Sequence, residues 1–183
     1  MNEPERCQGA GMPAGRLLAT TPPLARQMLQ RACAAQVPAV WVTGASVDGD
    51  DRRLRVWLEE HERAYGLAVT GKEYVWRAGQ QQQVKTLLAT LDTAHWQRMS
   101  AGDGAKGPRG YDWTWLPLAA PWPPNWRRWL VVRRSLSDPT ALTAYVVCAP
   151  PAPTLETIVP VAGSRWTVEQ CFEEAKGEVG LDH

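Results

Sequence analysis

Arg165, Glu169 and Lys176 are spaced four and seven residues apart near the end of the chain. At about 100° per residue on a helix they fall, with Phe172, within roughly 60° of one another. A carboxylate set between two cations has two readings. The plain one is a solvated face carrying an i, i+4 Arg–Glu pair. The sharper one is a carboxylate that binds a divalent cation, flanked by cations that grip a phosphate backbone. A second candidate is Lys106 with Arg109, in the glycine-rich stretch Gly102–Gly110. That stretch suits either close approach to a phosphate backbone or a solvated hairpin loop, and it matches no Walker pattern. A third is the set Arg127, Arg128, Arg133 and Arg134, interleaved with Trp126 and Trp129. It reads either as a DNA-facing strand pair with aromatic stacking or as a sheet with one buried and one wet face. His61 falls on an apolar helical stripe, His95 and His183 have no triad partner, and Ser46 lacks a G-x-S-x-G context. Nothing here forms a hydrolase triad.

The elements that must position these residues alternate at first. A helix is expected from residue 23 to 35 and a buried strand at Ala39–Thr43. A second helix follows, started by Asp50 and Asp51, with Leu54, Trp57, Leu58, His61 and Tyr65 on its inner stripe and Gly66 as its stop. Leu67–Thr70 is a second strand candidate. This helix–strand–helix–strand order suggests a partly parallel sheet covered by helices. The middle changes character: a polar run Gln80–Gln83, short helices at Val84–Leu91 and Ala94–Met99, and then strands at Asp112–Leu118, Arg128–Leu136 and Ala141–Cys148. A last helix is expected from about Arg165 to Glu178, packing through Val168, Cys171, Ala175 and Val179. The organisation expected is a core portion at 1–71, a β-rich insertion at 72–150 and a helical part at 151–183.

Composition sets bounds. Hydrophobic residues at 44% and charged residues at 21% exclude wholesale disorder. With 20 Lys+Arg against 19 Asp+Glu the net charge is +1, so any nucleic-acid contact must come from local patches. The opening MNEPERCQGAG has no signal-peptide core, and no window reaches about 18 uninterrupted apolar residues. Cys7, Cys33, Cys148 and Cys171 form no C-x-x-C pair and read as free thiols in a reducing cytoplasm.

The segment Val161–Asp182 (VAGSRWTVEQCFEEAKGEVGLD) resembles the signature of insertion-sequence DDE transposases, of the IS-four-like superfamily and its IS-seven-zero-one group. Their motif places an Arg four residues before the catalytic Glu and a Lys seven after it; Arg165, Glu169 and Lys176 meet both spacings. Further segments look like the same group in the same order: Ala10–Pro13, Trp41–Arg55 (WVTGASVDGDDRRLR), Ser100–Arg109 (SAGDGAKGPR) with Tyr111-Asp112-Trp113, and Trp129–Pro139 (WLVVRRSLSDP). The resemblance implies an α/β, partial ribonuclease-H-like (retroviral-integrase-like) fold with a β-rich insertion between the second and third acidic positions. It also implies metal-dependent DNA strand cleavage and transfer, with two Asp and one Glu holding two Mg²⁺ or Mn²⁺ ions. Glu169 would be the catalytic metal ligand, Arg165, Lys176, Lys106 and Arg109 the DNA contacts, and transposon ends and intact transposase the partners.

The chain departs from that pattern where the chemistry sits. The second catalytic Asp position is Ala45, the following Tyr position is Asp48, and a Tyr expected before the motif Arg is Ala162. No Asp precedes Asp48, so no first catalytic Asp is present in these residues. Asp48, three residues beyond Ala45, is expected to point elsewhere. One surviving carboxylate seldom holds Mg²⁺, which gives up water reluctantly, so a fragment truncated at both ends and inactive alone, binding no metal stably, is the expectation. The alternative is a non-catalytic remnant that binds DNA ends or an intact transposase and inhibits it; completion in trans by a separate N-terminal fragment is a third reading. Without a first strand beside it, the strand at Ala39–Thr43 becomes an open edge that invites aggregation or pairing with another chain.

Overall fold

The computed structural model of the chain describes residues 21–104, 107–119, 121, 124–150 and 153–179. Helix α1 (Thr21–Ala34) leads into strand β1 (Trp41–Gly44), which lies parallel to β2 (Ala64–Val69), with Trp41 opposite Ala64 and Gly44 opposite Leu67. Parallel neighbours need a crossover, and α2 (Ser46–Gly49) with α3 (Arg52–Glu60) supplies it. Asp51 starts α3 as a cap, its carboxylate accepting from the Arg53 and Leu54 amides at 2.7 and 3.3 Å. The helix stops well before Gly66, the expected terminator. The His61 and Arg63 amides donate back to the Trp57 and Leu58 carbonyls while Glu62 turns the chain at φ 51°. Tyr65, one turn beyond His61, is therefore a strand residue and not the end of the helical stripe.

The rest of the chain is β3 (Tyr74–Arg77), β4 (Gln80–Gln83), α4 (Val84–Leu88), a single 3-10 turn at Thr93–His95, β5 (Gln97–Gly104), β6 (Gly107–Pro117), β7 (Arg127–Arg134), β8 (Leu142–Ala149) and α5 (Leu155–Val179). β3 and β4 form a separate hairpin; the six-stranded sheet runs β1-β2-β8-β7-β6-β5, with β1–β2 its parallel pair. The fold is mixed α/β. The strands of the 72–150 stretch join β2 through β8 and continue the sheet that β1 and β2 begin. Among the described residues β1 has no strand on its outer side, the open edge expected from the sequence.

One expectation needs correction, and two stretches left unassigned or open resolve as strands. Ala94–Met99 is not a helix: Asp92 caps one short turn through the Ala94 amide at 3.0 Å, and from Gln97 the chain pairs with β6, Met99 opposite Tyr111. The described residues of Gly102–Gly110 belong to β5 and β6, which pair antiparallel as far as Gly104 opposite Gly107, in keeping with the hairpin reading of this stretch. A register shift between Ser100 and Asp103 absorbs the positive φ of Gly102. The polar run Gln80–Gln83 is strand β4, paired along its whole length with β3.

The last helix starts ten residues before Arg165, with Pro160 inside it. An interior proline costs about 3 kcal/mol. Leu155, Ile158 and Val159 are nearly fully buried against the sheet, at roughly 1.5–3 kcal/mol each. Packing therefore outweighs the proline. Gly163 lets the helix approach β5 closely, since a methyl group there would overlap the Ala101 carbonyl. Of the packing residues expected further on, Cys171 and Ala175 are exposed, and the side chains of Val168 and Val179 lie outside the described residues.

Alternation along the strands assigns each face its own core. Leu67, Val69, Leu130, Val132, Val146 and Cys148 pack with Leu54, Trp57 and Leu58 of α3. Ala68, Val131, Tyr145, Val147 and Trp113 pack with Leu155, Ile158, Val159 and Ala162 of α5. The centre of the sheet is thus covered on both sides, and the expected wet face on the arginine-rich strand is absent there. Among the described residues no helix is long and apolar enough to cross a membrane.

One ion pair is buried under α3. Glu59 accepts from Arg128 Nη2 at 2.6 and 2.7 Å and from Tyr65 Oη at 2.6 Å. Burial, reinforced by the Glu59 charge, pushes the Tyr65 hydroxyl well above its usual range and the Cys148 thiol up to about 12. Cys148 is consequently an inert thiol at neutral pH. Arg128→Met strands the Glu59 carboxylate and is expected to lower unfolding free energy in urea by about 3 kcal/mol. Glu59→Leu/Tyr65→Phe/Arg128→Met should recover most of that loss. Equal losses in the single and triple variants would show that the pair itself, and not the stranded charge, carries the energy.

Candidate functional site

Of the expected acidic positions, 45 follows the C-terminal end of β1 and 169 lies on α5. Ala45 follows β1 directly, in extended conformation (φ −75°, ψ 174°), as the residue that opens α2. Its carbonyl accepts the Asp48 and Gly49 amides at 3.0 and 2.9 Å, so the backbone oxygen is committed to the turn and the methyl side chain offers no ligand. The sharpness of this turn depends on Gly49, where a methyl group would overlap the Ala68 carbonyl of β2.

Asp48 does not swing away from this strand end. It folds back over Gly44, close enough that a β-carbon on Gly44 would lie 3.3 Å from the Asp48 Cβ and Oδ2. Its Oδ1 is buried and has no hydrogen-bond partner among the described residues. Burial raises its pKa, the Ala45 backbone hydrogen bond opposes that shift, and the neighbouring Asp51 charge adds to it.

Helix α5 is continuous through the motif, so positions 165, 169 and 176 fall within about 40° around its axis. Arg165 is half-buried and Lys176 is exposed. The Glu169 and Phe172 side chains lie outside the described residues, as does Lys106. Arg109 is half-buried on β6, reaching back to the Ala101 carbonyl at 3.5 Å. The structure thus places Arg165, Glu169 and Lys176 on one helix and Arg109 on a different strand.

The other arginines are engaged inside the fold. Arg133 lies over Tyr111 at 4.4 Å and bonds Thr143, while Arg134 lies over Trp96 at 4.2 Å and pairs with Asp112 at 3.0 Å. Arg98 also binds Asp112, and its hydrogen bond is the main cause of the low pKa of that carboxyl. Arg127 bonds the Pro124 and Trp126 carbonyls, and Trp129 stacks on Trp115. The nucleic-acid stacking surface these residues suggested is spent on sheet packing. His61 stacks on Trp57 and bonds its carbonyl at 2.8 Å, a satisfied histidine as its position suggested.

A cavity of about 320 Å³ with a mixed polar and apolar lining lies between α3 and the β3–β4 hairpin. Arg52, Arg55 and Glu59 face it from α3, Glu73, Tyr74, Trp76 and Gln81 from the hairpin side, and Arg128 from β7. Arg55 pairs with Glu73 and also donates to the Gly49 carbonyl. The sequence held one signal for this site, Arg55 and Glu59 four apart on α3. Their partners are 18 and 69 positions away, beyond the reach of local pattern.

Among the described residues no three His, Cys, Asp or Glu side chains gather as a metal site. Ala45 and the inward-folded Asp48 do not fit the ligand set of a two-metal centre. No family model matches the chain, and no curated protein matches its sequence.

The sign of the Asp48 shift sets a pH test. Folding raises this carboxyl above its ordinary 3.8, so the folded state pays to ionise it. The penalty is absent below the unfolded pKa, grows as pH rises through the folded one, and is complete at neutral pH. Asp48→Asn is therefore expected to raise the melting temperature at pH 7 and to lose that advantage below pH 3.8. An equal effect at both pH values would contradict the desolvated carboxylate.

Proposed function

We propose that the chain is a portion of an insertion-sequence DDE transposase of the IS-four-like kind that carries the Glu helix and does not cleave DNA by itself. The observation that carries this reading is the helix. The motif spacing of Arg165, Glu169 and Lys176 lies on one uninterrupted α-helix, which packs across the sheet whose parallel edge strand ends at Ala45. The ordered agreement of several other segments supports it, from Trp41–Arg55 through Trp129–Pro139. Glu169 is the metal ligand this reading retains, and Arg165, Lys176, Lys106 and Arg109 are its DNA contacts. Inactivity follows from residue type, a methyl group at Ala45 where the reading needs its second acid.

The alternative, a non-catalytic remnant that binds DNA ends or an intact transposase, is favoured by the open β1 edge, which can accept a strand from another chain. Both readings require contact with DNA or with a DNA-bound partner.

Binding of the purified chain to duplex DNA carrying the element's own ends tests direct contact with DNA. The expected result is affinity that falls steeply with salt, with Lys176→Ala reducing the slope of log K against log salt by about 1. Affinity that does not change between low and high salt would remove direct DNA binding. An unchanged slope in Lys176→Ala would remove that residue from the contact.

A further inference from the structure

We propose that the cavity between α3 and the β3–β4 hairpin binds a nucleoside monophosphate unit, a planar heterocycle carrying a phosphate. The proposal does not rest on the transposase reading. Two ion pairs converge on this cavity, Arg55–Glu73 and Arg128–Glu59, and the Arg55 and Glu59 side chains are only 9% and 8% exposed. Buried pairs of this kind are commonly no more stabilising than apolar residues of the same volume. Two of them around a single cavity therefore form a costly wall if the cavity stays empty. With a ligand present they form a rigid edge of donors and acceptors, the kind of polar lining that orients a bound ring.

The remaining walls define the class of ligand. Tyr74 and Trp76 alternate with buried Val75 along β3, so both lie on the same side of the hairpin. They line the cavity together with Val75 and remain 52% and 46% exposed at its mouth. Large aromatic faces left in water beside fixed polar groups are stacking surfaces for a flat, hydrogen-bonding ring. Arg52, in the first turn of α3, lines the same cavity and makes no hydrogen bond or ion pair among the described residues. It is the cation available to a phosphate. Asp50 nearby is held by the Thr70 amide and hydroxyl at 2.9 and 2.7 Å, and its charge offsets that of Arg52. A bare anion therefore gains little here, and the ring supplies most of the affinity. The volume, about 320 Å³, lies at the small end of ligand pockets, roughly 300–1,000 Å³.

Calorimetric titration of the full chain with adenosine monophosphate, adenosine and inorganic phosphate tests the site, alongside a short single-stranded oligoadenylate. Saturable binding of the first two, one per chain, with none of phosphate, is expected. Trp76→Ala should weaken both about tenfold. Arg52→Gln should weaken the monophosphate and leave adenosine unchanged. Both side chains sit at the surface, so neither substitution touches the core. Tighter binding of the oligonucleotide, with the same dependence on Trp76, would identify the unit as part of a strand; tighter binding of the monophosphate would identify a free nucleotide. The proposal is overturned by no saturable binding of either adenine compound, by equal binding of inorganic phosphate, or by wild-type affinity in Trp76→Ala.

Discussion

The central strands of this sheet bury side chains on both faces, so each face needs its own cover. Leu130 and Val132 point to one core while Val131, between them, points to the other. Strand β8 does the same with Val146 and Tyr145. On one side α3 and the α4 segment form the cover; on the other it is the first half of α5. This requirement explains why α5 tolerates Pro160 and why Gly163 stands where the helix meets β5. It also explains why the motif half of the helix extends beyond the packed half, with Cys171, Ala175 and Lys176 exposed. The helix is anchored by residues that carry no chemistry.

The same arrangement defines what the strand end can and cannot do. Parallel pairing of β1 with β2 brings the end of β1 to the start of a tight turn, a usual place for functional groups in α/β sheets. Here that position is Ala45, whose carbonyl is used by the turn and whose side chain is a methyl group. Asp48, in the turn that follows, is folded over Gly44 with a buried oxygen that has no hydrogen-bond partner among the described residues. The turn therefore offers a methyl group and an inward-folded carboxylate, not the paired acids that phosphodiester cleavage by two metal ions requires.

Much of the fold was legible from local pattern because the signals were strong there. The Ala-Val-Trp-Val-Thr run and Asp51 announced β1 and the start of α3, and the β-branched runs of β7 and β8 announced those strands. Where two elements share an apolar spacing, the pattern failed. Tyr65 fits a helical stripe from His61, yet backbone bonds to Trp57 and Leu58 end the helix before it. Ala94–Met99 has helical composition, yet pairing with β6 decides its state. The start of α5 was hidden by Pro160, whose cost only tertiary packing offsets. The candidate site divides in the same way. The spacing of Arg165, Glu169 and Lys176 is a local signal and was readable. The cavity of Arg55, Glu59, Glu73 and Arg128 is assembled by contacts across the sheet and was not. The arginine-rich strand, attractive as a DNA surface, makes ion pairs and ring contacts whose partners lie on α3, on neighbouring strands and in the adjoining turns.

The most direct test of the central claim, that this strand end cannot assemble a cleavage centre, is metal-dependent nicking of duplex DNA bearing the element's ends by the pure chain alone. The account predicts no cutting with either Mg²⁺ or Mn²⁺, for the chain as it stands and for Ala45→Asp, because no first acidic partner is present in these residues. Cleavage by the unaltered chain, abolished by Glu169→Gln, would contradict it.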